Sequence, residues 1–97
     1  MLLVAATAST YAQTDASVLR GKDIAEQTCA GCHAIETNEA RPYGAVLVPS
    51  FRTIAGGPRG TTERLKAIIT TPTHPMPAIP LTQTEINDVA AYMSSLK

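Results

Sequence analysis

The sequence predicts an all-α fold of three to four short helices joined by long irregular connections and wrapped around a bound apolar body. Three observations carry this. Apolar residues recur at helical spacing in separate stretches, the signature of amphipathic helices. A complete capping box opens the last of them. The 97 residues contain three tyrosines, one phenylalanine and no tryptophan. So small an apolar inventory suits a shell around a bound group better than a self-sufficient core.

The elements follow in chain order. Gly21, Ile24, Ala25, Thr28 and Cys29 lie on one face of a first helix, with Ser17 as its expected N-cap. Residues 38–44 and 56–60 read as loops from their Gly, Pro and Asn content. Between them, residues 46–55 fit either a strand or a short helix, and a helix after Pro49 is favoured. Leu65, Ile68 and Ile69 form a second stripe that Pro72 ends. In the last helix, Thr82 and Glu85 satisfy each other's free amides at the start. Ile86, Val89, Ala90, Met93 and Leu96 then line one side. Long loops in so small a domain normally count against an assignment, but a group that the loops wrap removes the objection.

Residues 1–12 are uncharged and rich in small and apolar side chains. They read as the end of a secretory leader that lacks its basic n-region, with cleavage expected after Ala12 and a mature domain over 13–97. The competing reading is an N-terminal tail. The run is too short to span a membrane.

The chemistry concentrates in Cys29-Ala30-Gly31-Cys32-His33. A C-x-x-C-H run is the attachment site of c-type haem. Two thiols one short turn apart can add to the two vinyl groups of one porphyrin. The histidine that follows is then carried beneath the ring, where an imidazole nitrogen reaches the iron. A redox dithiol and a zinc site compete for the same cysteines. The dithiol would follow a strand, and none precedes Cys29. Zinc draws four Cys or His ligands, and the 41-residue gap from His33 to His74 fits no common finger spacing. Covalent haem is the expected reading.

A second axial ligand is expected in Thr73-His74-Pro75-Met76-Pro77-Ala78-Ile79-Pro80. Together with Pro72, its prolines fix φ and stiffen the loop, so a weak thioether is held with little loss of entropy. Met76, 43 residues after His33, is the expected ligand. His74 competes and would give a bis-histidine site, although a surface role suits it better. Met93, on the apolar face of the last helix, reads as core filler.

From about Gly21 to Leu96 the chain resembles the monohaem class I c-type cytochromes. The resemblance rests on a glycine eight residues before the first haem cysteine, the C-x-x-C-H run, and Met76-Pro77 followed by Leu81-Thr82 and Glu85-Ile86. It also includes Asp88-Val89-Ala90-Ala91-Tyr92-Met93 in the terminal helix. It implies the small cytochrome c fold. Gly21 then lets the first helix cross closely over the last, with Tyr92 at the crossing. Pro49 resembles the proline whose carbonyl accepts from the proximal histidine, although Val48-Pro49 replaces the common Gly-Pro. Ala25 stands where many relatives carry an aromatic residue. Tyr43 or Arg52 is expected to contact a haem propionate, and the sequence does not choose between them.

His/Met ligation raises the reduction potential and fills both axial positions. The expected function is therefore single-electron carriage rather than catalysis, by an exported, periplasmic protein with one covalent haem c. Its expected partners are redox proteins: a membrane complex or dehydrogenase on one side and a terminal acceptor on the other. They would be met as a monomer or in transient complexes. The alternative is a haem subunit of an enzyme complex, or a peroxidase-like protein with a labile sixth ligand. A haem-free thiol–disulfide oxidoreductase is a third reading.

The eight basic and eight acidic residues cancel, but residues 15–39 carry five acids against two bases and residues 41–66 five bases against one acid. Such a mixed surface lacks the concentrated basic face of a nucleic-acid binder, and no membrane insertion is expected.

Overall fold

The computed structural model describes the backbone of residues 2–97 and the side chains from Asp15 onward. All side chains of the expected leader over 1–12, and the backbone of Met1, lie outside the described residues. The order is α1 (Leu2–Thr28), β1 (Arg41–Tyr43), β2 (Val46–Val48), α2 (Phe51–Gly56), α3 (Thr62–Thr70) and α4 (Gln83–Ser94). This is the mostly helical architecture that the sequence predicts, with one departure in length and one in kind.

The departure in length is α1. It runs straight through Ser17, so Ser17 is not the N-cap. Its hydroxyl instead lies 3.3 Å from Arg20 Nη2, one turn further on. Strong helix formers precede Ser17, alanines above all, and nothing there stops propagation.

The departure in kind is a β-hairpin, whose first strand lies in the stretch read as loop and whose second opens the stretch that fits either strand or helix. Arg41, Pro42 and Tyr43 pair antiparallel with Val48, Leu47 and Val46. The two-residue connection is Gly44-Ala45, and Gly44 supplies the positive φ of 60° that such turns demand. Three-residue strands are too short to show a period of two, and Pro42 argues against a strand by lacking an amide.

The remaining elements form as their local chemistry requires. Ser50 caps α2, so the helix expected after Pro49 is present. Thr61 caps α3, which ends before Pro72. At α4 both halves of the capping box form: Thr82 Oγ1 accepts from Glu85 N at 3.1 Å, and Thr82 N donates to Glu85 Oε1 at 2.8 Å.

The principal interface is between α1 and α4, and α3 and α2 pack on α4 as well. Ala25, Ile35, Phe51, Leu65, Val89, Ala90, Tyr92 and Met93 form the buried core. At the crossing, Asp88 is buried and accepts from Arg20 Nε at 3.1 Å. Among the described residues, no buried side-chain polar atom lacks a partner, as the cost of leaving one unpaired requires. No described helix is long and apolar enough to cross a membrane.

Candidate functional site

The end of α1 delivers the C-x-x-C-H run. Cys29 N still bonds to Ala25 O at 2.8 Å. The chain then turns tightly, with Cys32 N and His33 N donating to Cys29 O at 3.2 and 3.0 Å. This holds both thiols and the imidazole together at the helix end. Arg41 on β1 reaches across and donates from Nη1 to Ala30 O at 2.7 Å, tying the hairpin to the loop.

His33 is held from two directions. Its Nδ1 lies 2.7 Å from Pro49 O, which makes Nδ1 the donor and leaves Nε2 to act as an acceptor or ligand. Its ring also sits against Phe51, with centroids 5.5 Å apart and planes tilted by 51°. Burial pushes the Cys29 thiol above its usual range, partly offset by the Thr28 hydroxyl 3.4 Å away.

Facing His33 is the proline-rich loop, where Met76 N bonds to Thr73 O at 3.0 Å and closes a turn. Between the two segments lies an apolar crevice with two lobes of about 250 Å³ each. Together they fall within the roughly 300–1,000 Å³ usual for cofactor sites. Cys29, His33, Pro49, Thr73, Met76 and Ile79 border both lobes. The outer lobe adds Cys32 and the hairpin residues Tyr43, Val46 and Val48. The inner lobe is floored by Phe51, Leu65, Val89 and Met93.

Most of the expected site residues meet here: Cys29, Cys32, His33, Met76, Pro49 and Tyr43 all border the crevice. Arg52 does not. It points outward from α2, while Phe51 and Ala55 face inward. The arginine that does border the crevice is Arg59, in the loop after α2, which sequence reasoning passed over. His74 is exposed and borders neither lobe.

The sequence matches the family described as cytochrome c oxidase, cbb3-type, subunit III, over residues 16–93. The chain belongs to the c-type cytochromes. Cytochrome c-552 of Bradyrhizobium diazoefficiens is 36% identical to it over 97 residues, covering all of this chain and 89% of that protein. No solved structure matches.

A c-type cytochrome carries covalently bound haem c, and one C-x-x-C-H run in so small a domain accounts for one. The crevice fits that group. Its walls are apolar, two thiols and an imidazole stand at its edge, and the imidazole nitrogen away from Pro49 is free of any protein hydrogen bond among the described residues. As a cytochrome the protein transfers electrons to and from redox partners and is not an enzyme. The haem-free dithiol and peroxidase-like readings are thereby set aside.

Proposed function

We propose that this cytochrome carries single electrons in the periplasm, using a haem attached through Cys29 and Cys32 and ligated by His33 and Met76. The observation that carries the reading is that His33 and Met76 border the same two lobes of one apolar crevice. The competing ligand, His74, borders neither. When bound, the haem supplies a reversible one-electron iron couple.

The protein's own residues do the rest. The Pro49 carbonyl keeps the His33 proton on Nδ1, orienting the ring and raising its basicity. The proline-flanked Met76 turn presents a soft thioether, which favours ferrous iron and raises the potential. Phe51, Leu65, Val89 and Met93 exclude water from the inner lobe, and a dry surround also tunes potential. Tyr43 and Arg59 offer polar groups at the crevice for the haem carboxylates. Export is supported by the uncharged, apolar leader-like residues 1–12. The proposed partners are a membrane complex or dehydrogenase as donor and a terminal acceptor.

Visible spectra of oxidised and reduced protein, made with export and haem maturation, followed by acidified-acetone extraction, test this reading. The expected result is haem retained by the protein, low-spin in both states, with a methionine-to-iron charge-transfer band when oxidised. Haem lost to the solvent would refute attachment at Cys29 and Cys32. Retained haem with a high-spin spectrum would refute Met76 as ligand.

A further inference from the structure

Beyond the Pro49 carbonyl lies a polar cluster that holds it in place. Ser50 follows Pro49 directly and is only 1% exposed. Its Oγ accepts from Thr53 N at 3.0 Å and donates to Asn38 Oδ1 at 2.8 Å. Asn38 Oδ1 accepts a second bond, from Thr53 Oγ1 at 3.0 Å. Asn38 lies in the segment that leaves His33, so the cluster joins the chain on both sides of the histidine's hydrogen bond. A backbone bond from Phe51 N to Ala34 O at 3.0 Å runs beside it.

The Pro49 carbonyl belongs to the peptide plane that ends at Ser50 N. On the Pro49 side that plane turns about the Cα–C bond, a rotation that the proline ring does not itself lock, since the ring fixes only φ. On the other side, the plane's direction is set by rotation about the Ser50 N–Cα bond. Ser50 has φ −69° and ψ 160°, and its side chain is tied to both Thr53 and Asn38. With the side chain tied, the bond cannot turn without breaking hydrogen bonds in a buried place, where an unsatisfied polar group is costly.

We infer that Ser50 and Asn38 are positioning residues for His33, fixing the direction of the Pro49 carbonyl and thereby the electron density that the imidazole offers to the iron. This rests on His33 being the axial ligand. A well-directed acceptor makes the imidazole more electron-rich and favours ferric iron, so a loosened one raises the potential.

The test uses the haem-loaded protein and its Ser50→Ala, Asn38→Ala and Ser50→Thr variants. In ferrous wild type, His33 ring protons and a Met76 methyl shifted far upfield by the porphyrin ring current come first. Their absence refutes the ligation and this inference with it. With them present, Ser50→Ala and Asn38→Ala are each expected to raise the reduction potential. Each should also speed exchange of the His33 Nδ1 proton about tenfold, the factor for roughly 1.4 kcal/mol. Ser50→Thr keeps the hydroxyl and should restore both readouts. The double alanine variant should shift the potential no further than the larger single change, because the two residues act through one carbonyl. Variants that lower only the melting temperature, with potential and exchange unchanged, would make the cluster a helix cap alone and overturn the inference, with the ligation standing. Asn38 is exposed, so its variant remains informative if Ser50→Ala folds poorly.

Discussion

Gly21 meets the backbone of Asp88 so closely that a Cβ at Gly21 would stand 1.9 Å from the Asp88 carbonyl oxygen, and 2.9 Å from Tyr92 Cβ. Hydrogen alone fits there, so this glycine sets the distance at which α1 crosses α4. The crossing in turn holds Val89 and Met93 where they floor the crevice. Gly21→Ala must push the helices apart. Overpacking against backbone is expected to cost about 3 kcal/mol or more, read as a lowered midpoint in denaturant unfolding of the haem-loaded protein. Gly56→Ala is the control: nothing lies within 4 Å of its added Cβ, so stability should hold or rise.

The same crossing contains a buried carboxylate. Asp88 is 4% exposed, and its partner Arg20 bonds it at 3.1 Å while staying half in solvent. Removing the arginine leaves a buried charge without its ion partner, whereas Asp88→Asn removes the charge and keeps an acceptor. Arg20→Met should therefore destabilise more than Asp88→Asn, by about 1–3 kcal/mol against less than about 1, the first figure already reduced for the arginine's exposure. A double-mutant cycle by thermal unfolding measures the coupling. Equal single costs with no coupling would mean that the pair contributes nothing.

Met76→Ala should leave haem covalently attached and the fold intact, because Met76 lies at the crevice edge and not in the core cluster. The potential should fall, and ferrous protein should bind carbon monoxide rapidly where wild type does not. Carbon monoxide titration followed in the visible spectrum reads this directly. Unchanged potential and no binding would assign the sixth position to another residue.

Tyr92 gives a pH dependence with a definite sign. Burial pushes its phenol above the usual value, reinforced by Glu36 and Glu26 and opposed by Arg52. The unfolded chain therefore loses this proton first, and the folded state holds more protons in the window that opens near pH 10. The contribution is constant below about pH 10 and is lost as pH rises from there through the folded value. Tyr92→Phe should flatten that alkaline loss in unfolding experiments run across the window. An identical slope in the variant would place the titration elsewhere.

What was legible in the sequence was local chemistry. The Thr82–Glu85 box and the Pro72 stop place α4 and α3 because the deciding groups lie within one turn. The C-x-x-C-H run was legible because it fixes its own geometry, and the prolines around Met76 mark the loop that borders the crevice. The hairpin was not legible, since its strands are three residues long and include Pro42. The outward direction of Arg52 and the place of Arg59 at the crevice were not legible, because periodicity does not orient so short a helix as α2. The Asn38–Ser50 bond spans twelve residues, so no local pattern announced it, although a serine after Pro49 with a threonine three residues on was a readable cap.

One measurement bears most directly on the carrier mechanism: a spectroelectrochemical titration of the wild-type protein. Two protein ligands on one haem require a single reversible one-electron wave, with low-spin spectra at both limits and no change on adding carbon monoxide or cyanide during the titration. A second wave, a high-spin limit or a potential that moves with added ligand would contradict it, and would mean an open iron in place of a carrier closed by His33 and Met76.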